Sequence, residues 1–259
     1  MTNSHPEIMY AKIGIVIPTY LEGRNIASLV LKVLNLCPDA QVVIVDDSPF
    51  SETCDAVREL ELKNIVAIHR KVKGGRGSAV IAGIAHLLSQ GCTWIIEMDA
   101  DFSHPPSQIP SLLKEAKEKN YDLLIASRYL PHSRIENWPL TRRVFSRASN
   151  LLARTTLRVP ISDYTNGFRV YSKNAAVVIT ETCGKQGKGF IALSEILVNL
   201  YYRDMSVGEV PTVFTNRIRG ESSVGLSEVK NAFFGLFKIL KLKWQLVAEK
   251  REKCLTGKQ

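Results

Sequence analysis

Two aspartates separated by a single residue, Asp99 and Asp101, follow an apolar run in the middle of the chain. The run, residues 93–98, predicts a buried strand, so both carboxylates lie in the turn where that strand ends. Carboxylate oxygens are the ligands that hard cations such as Mg²⁺ and Mn²⁺ prefer, and these cations also bind diphosphate. The pattern predicts a metal site that neutralises a leaving nucleoside diphosphate. A surface turn rich in aspartate is the alternative.

A second acidic group, Asp46 and Asp47, ends the β-branched run 41–46. A carboxylate at this position can accept hydrogen bonds from a base or a ribose. Asp47 or Ser48 can equally cap the helix that begins near Glu52, and the two interpretations have equal weight.

A third polar group, with Tyr20 and Glu22, follows the apolar run 13–18. Ligands of open α/β sheets bind beyond the carboxyl ends of the strands. We therefore expect the three groups to meet at one edge of a sheet.

Two further segments allow a functional and a structural interpretation. The glycine-rich loop 71–78 precedes a predicted helix, so its backbone amides can hold an anion, or the loop is simply a tight turn. It matches neither the P-loop pattern nor G-x-G-x-x-G. His104, just before two prolines, is a candidate metal ligand or base, although a structural histidine is the favoured interpretation.

Strand-like and helical patterns alternate along the first half of the chain, as in βαβ units. The class is therefore α/β, with a mostly parallel sheet between helices. Predicted strands cover residues 13–18, 41–46, 65–69, 93–98 and 123–127, and predicted helices cover residues 25–36, 52–60, 78–89 and 106–119.

Arginine dominates the next segment, since residues 128–158 hold seven arginines, one acid and no lysine. The planar guanidinium group suits bidentate phosphate binding. A solvated helix face is an equally weighted alternative. The net charge of +9 also favours an anionic partner.

The composition excludes a disordered chain. With 45% hydrophobic and 23% charged residues, the 259-residue chain can bury a full core. The five cysteines form no C-x-x-C pair, which indicates free thiols in a reducing compartment rather than a zinc site. We expect no signal peptide and no transmembrane helix.

The segment 230–247 has helical spacing and several lysines. It can lie in a membrane interface as a basic amphipathic helix, or it can pack on protein, because its other side is apolar too. The residues predicted to share one apolar face are Phe233, Leu236, Phe237, Leu240, Trp244 and Val247.

The sequence resembles the family 2 glycosyltransferases, and more narrowly the dolichol-phosphate mannose synthase group, over residues 13–223. Each motif is loose by itself, but their order and spacing are specific. The motifs are Val16-Ile17-Pro18-Thr19-Tyr20, Asp46-Asp47-Ser48, residues 98–105, Ala126-Ser127-Arg128-Tyr129, Glu136-Asn137-Trp138-Pro139-Leu140, residues 163–169 and residues 217–222.

The resemblance implies a glycosyltransferase-A fold, which is a Rossmann-like, mostly parallel sheet with flanking helices. The catalytic domain would cover residues 1–226, and a basic amphipathic helix and tail would cover residues 227–259. Two positions depart from the family pattern, because Leu21 replaces an asparagine and Ser223 replaces a lysine of many relatives. The second departure leaves the phosphate contacts there and the exact donor open.

Residue roles also follow from the resemblance. Those expected to bind the donor are Pro18, Tyr20, Glu22, Asp47, Asp99, Ala100, Asp101 and Arg217. Those expected to hold the metal are Asp99, Asp101 and Ser103, those expected to hold the acceptor phosphate are Arg128, Arg142 and Ser222, and those expected to be catalytic are Asp101, Arg128 and Arg142. Asn166, Gly167 and Phe168 would shape the sugar and acceptor region.

The implied reaction is inverting transfer of mannose from GDP-mannose onto a polyprenyl (dolichyl) phosphate with Mg²⁺ or Mn²⁺. We find no clear catalytic base, and a phosphate acceptor needs none because it is largely ionised at neutral pH. The enzyme would be peripheral at the cytoplasmic face of a membrane, with a membrane-anchoring partner subunit as a further candidate.

Other functions remain open. A related family 2 enzyme can use UDP-glucose or a non-lipid acceptor, and a non-catalytic protein can sense nucleotide sugars. The net charge suggests nucleic-acid binding, but aromatic residues do not alternate with the arginines as stacking requires, so no nucleic acid is expected. A Rossmann dehydrogenase lacks its G-x-G-x-x-G motif here.

Overall fold

The computed structural model describes residues 12–186, 191–216 and 226–256. Its strands are β1 (Ile13–Thr19), β2 (Gln41–Asp46), β3 (Ile65–His69), β4 (Trp94–Glu97), β5 (Leu123–Ser127), β6 (Arg134–Glu136), β7 (Arg169–Ser172), β8 (Val207–Pro211) and β9 (Val213–Thr215). Its helices are α1 (Gly23–Leu36), α2 (Glu52–Arg58), α3 (Arg76–Ser89), α4 (Ile109–Glu118), α5 (Leu140–Leu157), α6 (Lys173–Thr182), α7 (Ile191–Tyr202) and α8 (Leu226–Thr256).

The main sheet has the strand order β3-β2-β1-β4-β7-β5-β8. Its pairs are parallel except for β7, which runs antiparallel to both β4 and β5. A small second sheet joins β6 to β9. The predicted mostly parallel α/β sheet is confirmed. The strand order reverses at β1, which lies between β2 and β4, and such a switch point opens a crevice for ligands.

The core lies on both faces of this sheet, as expected for strands buried between helices. On one face, Ile15 and Ile17 of β1 join the apolar side of α1. On the other face, Val16 of β1 packs with Ile84 and Leu87 of α3. Consecutive β1 residues point to opposite faces of the sheet, and both faces are buried, so the strand consists of an unbroken apolar run. Its last residue, Thr19, lies at the crevice.

The predicted bounds of β2, β3 and β5 match the structure. Helix α3 begins two residues earlier than predicted, at Arg76. The predicted helix 106–119 begins as a 3₁₀ turn, Pro106–Gln108, before α4. Pro110 has no backbone N–H to donate, which is tolerated within the first turn of a helix.

Helix α8 buries only part of the apolar face that was predicted for it. Phe237 and Trp244, which belong to that face, are exposed, whereas Ile239 and Leu246, on the other side of the helix, are buried in the core. Lys243 is buried, and its Nζ donates to the Thr156 carbonyl oxygen of α5 at 2.9 Å. A helix that is apolar on two sides cannot be oriented from its periodicity alone.

The side chain of Phe233 lies outside the described residues. The domain boundary at residue 226 stays a prediction. Across the described segments, no helix has both the length and the apolarity that crossing a bilayer requires.

Candidate active site at the carboxyl edge of the sheet

A cavity of about 280 Å³ lies where β1, β2 and β4 end, as the three polar groups of the sequence predicted. We call it the larger cavity. Its lining residues are Pro18, Thr19, Tyr20, Glu22, Asp47, Lys73, Gly75, Arg76, Ala79, Asp99, Ala100 and Asp101.

A second cavity of about 40 Å³, the smaller cavity, adjoins the first. Both are lined by Asp99 and Asp101, so the two aspartates form the boundary between them. The other residues that line the smaller cavity are Ser103, Arg128, Trp138, Arg142, Thr165, Asn166, Gly167, Phe214 and Asn216.

The structure therefore separates the predicted site residues into two adjacent groups. The described residues that were assigned to the donor line the larger cavity, and Arg128 and Arg142 line the smaller one. Phe168 lies behind the smaller cavity, stacked on His104. Arg217 and Ser222 lie outside the described residues. The individual roles stay predictions.

The Asp47 carboxylate is tied to the glycine-rich loop. Arg70 holds it with a two-pronged contact, Nε to Oδ1 at 2.6 Å and Nη2 to Oδ2 at 2.7 Å. The backbone N–H of Gly75, which has a φ of 86°, donates to Oδ2 at 2.8 Å. Asp47 thus anchors the turn before α3 rather than capping α2, and the Gly75 amide binds a protein carboxylate.

The neighbouring Asp46 is structural. Its buried Oδ1 accepts hydrogen bonds from Thr19 Oγ1 at 2.9 Å and from Ser48 Oγ at 2.6 Å. Ser48 Oγ in turn accepts from the backbone N–H of Leu21 at 2.7 Å. This chain fixes the end of β1 against the end of β2, which positions the wall of the larger cavity.

Arg76 was not singled out by the sequence analysis, and it holds the first aspartate of the metal motif. Nη1 donates to Glu97 Oε1 at 2.5 Å, while Nε and Nη2 donate to Asp99 Oδ1 at 3.0 and 2.7 Å. Burial opposes the charged guanidinium, but Asp99 and Glu97 outweigh it and raise the pKa of Arg76. The glycine-rich loop was the available signal, but it was considered only for its backbone amides.

Gly167 packs directly against Arg76. A Cβ at position 167 would overlap the Arg76 guanidinium, so the close approach requires glycine. The segment around Gly167 therefore helps to hold Arg76 toward Asp99.

His104 is a structural residue, in agreement with the favoured interpretation. Its Nδ1 accepts a hydrogen bond from the backbone N–H of Asp99 at 3.0 Å, so Nε2 carries the proton and donates to Asn166 Oδ1 at 2.9 Å. Asn166 Nδ2 donates to the Ala126 carbonyl oxygen. The buried ring also stacks on Phe168 with centroids 5.1 Å apart. His104 thereby shapes the turn that carries the two aspartates.

The second aspartate, Asp101, accepts a hydrogen bond at Oδ1 from the backbone N–H of Ser103 at 3.0 Å. Ser103 Oγ is buried and has no hydrogen-bond partner among the described residues. The described residues contain no cluster of three or more His, Cys, Asp or Glu side chains that could hold a metal ion without substrate oxygens. Since Mg²⁺ at phosphate sites needs only one or two carboxylates besides the substrate oxygens, these residues fit a cation bound together with a diphosphate.

Arg128 forms a buried ion pair that sequence reasoning missed. Nε donates to Asp163 Oδ2 and Nη2 to Asp163 Oδ1, both at 2.8 Å, and Nη2 also donates to Thr165 Oγ1. Burial alone would raise the pKa of the Asp163 carboxyl, but Arg128 outweighs it and keeps that pKa below its ordinary value. The pair fixes the orientation of the guanidinium through Nε and Nη2.

Both arginines meet at an aromatic wall. The Arg142 guanidinium lies 4.0 Å from the centre of the Trp138 ring, and the Arg128 guanidinium lies 5.4 Å from it. Arg142 Nη1 also donates to Asn216 Oδ1 at 3.3 Å. Asp163 balances the charge of Arg128. The smaller cavity thus offers two oriented guanidinium groups to an anion.

Several known proteins are similar to this chain in sequence. Residues 14–179 match the model of Glycosyl transferase family 2. The polyprenol monophosphomannose synthase of Mycolicibacterium smegmatis is 34% identical over 223 residues, 85% of this chain and 83% of its own. The undecaprenyl-phosphate mannosyltransferase of Micrococcus luteus is 33% identical over 216 residues, 81% of this chain and 86% of its own.

Among solved structures, a similar one is glucosyl-3-phosphoglycerate synthase from Mycobacterium tuberculosis in complex with Mn²⁺, UDP-glucose and phosphoglyceric acid. Its TM-score is 0.63 at 16% identity, and the match covers 90% of this chain and 80% of that one. At this identity the likeness concerns the fold alone, and it confirms the expected glycosyltransferase-A fold.

Proposed function

The chain belongs to glycosyl transferase family 2, and from this membership we propose that it transfers mannose from GDP-mannose onto a polyprenyl phosphate. The reaction is an inverting single displacement assisted by a divalent metal ion. Two mannosyl-transferring relatives, named for polyprenol and undecaprenyl-phosphate acceptors, support the choice of sugar and acceptor.

One observation carries the proposal, namely that the larger and smaller cavities share Asp99 and Asp101. A nucleotide in the larger cavity would bring its diphosphate to the two aspartates. An anionic acceptor held by Arg128 and Arg142 would approach the same point from the other side. This is the geometry that displacement between two phosphate-bearing substrates requires.

On the donor side, Tyr20, Glu22 and Asp47 line the larger cavity and would surround the nucleotide. Asp99 and Asp101, with Ser103 Oγ nearby, would hold Mg²⁺ or Mn²⁺, and the bound ion would supply charge neutralisation for the leaving diphosphate. Arg76 and His104 keep the Asp99 turn in place before substrate arrives. A prearranged turn lowers the reorganisation needed during reaction.

On the acceptor side, a phosphate oxygen attacks the anomeric carbon of mannose as the bond from that carbon to the diphosphate oxygen breaks. The bonding pair leaves with GDP. The acceptor phosphate is largely dianionic at neutral pH, with a second pKa of about 6, so no base has to remove a proton. Arg128 and Arg142 would orient the phosphate, and Trp138 supports both guanidinium groups.

The acceptor is a membrane lipid, so we expect a peripheral enzyme at the cytoplasmic face of a membrane. A membrane-anchoring partner subunit remains a candidate.

The test is to incubate the purified chain with polyprenyl phosphate in detergent, Mg²⁺ or Mn²⁺, and GDP-mannose or UDP-glucose in parallel. Mannosylated lipid from GDP-mannose alone supports the proposal. Product only from UDP-glucose would replace the sugar, and the solved neighbour that binds UDP-glucose makes this the second candidate donor. Donor binding without product from any donor would contradict the proposed acceptor.

A further inference from the structure

The first turn of α3 brings a cation to the wall of the larger cavity. Arg76 is the first residue of this helix, its side chain is 15% exposed, and it lines the cavity together with Ala79 of the same turn. The positive end of the helix dipole lies at the same place. A guanidinium group stays protonated at any ordinary pH, so Arg76 is a permanent positive charge on this wall.

Arg76 balances charge on the first of the two aspartates that are expected to hold the metal ion. Its Nε and Nη2 both donate to Asp99 Oδ1, and Asp99 Oδ2 lies 3.8 Å from Nε2 of His104. The His104 ring is neutral, since its Nδ1 accepts a hydrogen bond. A carboxylate that is already paired with a guanidinium group attracts a second cation less strongly. Arg76 and a metal ion therefore compete for Asp99.

Buried contacts hold the Arg76 guanidinium at the cavity wall. Its Nη1 donates to Glu97 Oε1, and the hydroxyl group of Tyr171 donates to Glu97 Oε2 at 2.6 Å. Gly167 packs against the other side of the guanidinium group, where a Cβ would overlap it. The Arg76 charge is thus in place without any ligand, which is the condition for competition with a metal ion.

We propose that Arg76 is a built-in cation of the donor site, which binds the diphosphate directly and keeps metal affinity low until the nucleotide is present. A guanidinium group donates in pairs to phosphate oxygens. A diphosphate beside Arg76 shares its positive charge, so Asp99 becomes a better ligand for a cation that the diphosphate also binds. The inference rests on the proposed function, because it takes a nucleoside diphosphate as the occupant of the larger cavity.

The proposal makes metal binding and nucleotide binding depend on each other. Coupling between two ligands is reciprocal, so a nucleotide that strengthens Mn²⁺ binding is itself bound more tightly with Mn²⁺, by the same factor. Because Arg76 supplies a positive charge of its own, the nucleotide also keeps measurable affinity when no metal is present.

The experiment measures Mn²⁺ binding to the full chain by electron paramagnetic resonance, with and without GDP, and GDP binding by calorimetry in EDTA. The variant is Arg76→Met/Glu97→Gln, which removes both charges of the buried pair together and leaves an amide oxygen that can accept from Tyr171. His104 still holds the backbone of Asp99 in this variant.

In the unmodified chain, GDP should strengthen Mn²⁺ binding at least about tenfold. In the double variant, Mn²⁺ without nucleotide should bind about tenfold more tightly than in the unmodified chain, and GDP in EDTA about tenfold more weakly, as expected for one charge-assisted contact. Arg76→Lys keeps the charge and should keep nucleotide-free Mn²⁺ binding weak.

The matched control is Lys73→Gln, which removes another cation of the larger cavity, one whose Nζ lies 3.5 Å from the centre of the Tyr20 ring. Nucleotide-free Mn²⁺ binding should be the same in this control as in the unmodified chain. An equal gain of Mn²⁺ affinity in the control and the double variant overturns the specific role of Arg76, as does equal nucleotide-free Mn²⁺ binding by the double variant and the unmodified chain.

Two measurements need only the unmodified chain, so the inference stays testable if the double variant does not fold. Mn²⁺ binding that is equally tight with and without GDP overturns it, and so does a complete loss of GDP binding in EDTA. Failure to bind GDP or UDP under any condition overturns the proposed donor, while the Mn²⁺ titrations without nucleotide still decide whether Arg76 competes for Asp99.

Discussion

Two N–H groups of Arg76, Nε and Nη2, donate to the same oxygen of Asp99, at 3.0 and 2.7 Å. The same guanidinium group reaches the buried Glu97 through Nη1. A side chain from the start of α3 therefore sets the position of the first aspartate in the predicted metal motif. Since Asp99 borders both cavities, this contact connects the glycine-rich loop to the boundary between them.

Replacing Arg76 by lysine tests that connection. Lysine keeps the charge but cannot make a planar fork to two carboxylates at once. We expect Arg76→Lys to lower kcat/KM for the donor about tenfold, with a smaller change in KM for the acceptor. Steady-state kinetics with each substrate varied will measure this. Arg58→Lys, in an exposed pair with Asp55, is the control, and equal kinetics in both variants would contradict the positioning role.

Asp101→Asn removes one carboxylate charge at the shared boundary of the two cavities. The change keeps the size of the side chain, so the fold should persist while kcat falls at least about 100-fold. Mn²⁺ binding in the presence of GDP, followed by electron paramagnetic resonance, should weaken in parallel. A variant with normal activity and normal Mn²⁺ binding would remove the metal hypothesis.

Arg142→Gln tests the acceptor side. The loss of a charge-assisted hydrogen bond should raise KM for polyprenyl phosphate about tenfold or more and leave KM for the donor nearly unchanged. Arg203→Gln, on an exposed arginine at the end of α7, is the matched control. An equal rise in both KM values for Arg142→Gln would argue against an acceptor role.

The buried pair of Arg128 and Asp163 predicts a dependence of stability on pH. Asp163 has a lowered pKa in the folded state, so its contribution is present above its unfolded pKa of about 3.9 and is lost as pH falls through the folded value. Asp163→Asn should cost about 3–5 kcal/mol in the free energy of unfolding at pH 7, and less at low pH.

Urea unfolding from pH 7 downward will measure the difference between Asp163→Asn and the unmodified chain. Asp55→Asn is the control, because that carboxylate is exposed and its pair with Arg58 should matter little. A difference that stays constant between pH 7 and pH 2 would contradict the lowered pKa of Asp163.

The sequence predicted the first half of the fold well because its strands are short, apolar and β-branched. The bounds of β2 and β3 agree with the structure for that reason. The same periodicity could not orient α8, which is apolar on two sides. It also gave no indication that β7, far along the chain, inserts antiparallel between β4 and β5.

The candidate site was predicted in part. Carboxylates at strand ends are visible in the sequence because topology brings strand ends together. The partners that orient the site residues are not visible in the sequence. Arg76, Asp163 and the amide of Asn166 bind side chains that are distant from them in the chain.

The most direct test of the account is to offer GDP-mannose with either polyprenyl phosphate or the matching phosphate-free polyprenol, and to measure the lipid product by mass spectrometry. The account predicts a gain of one hexose on polyprenyl phosphate only, because the acceptor phosphate is itself the nucleophile and the site supplies two arginines to hold it. Comparable mannosylation of the free polyprenol would require a base to activate a hydroxyl group, and it would contradict the account.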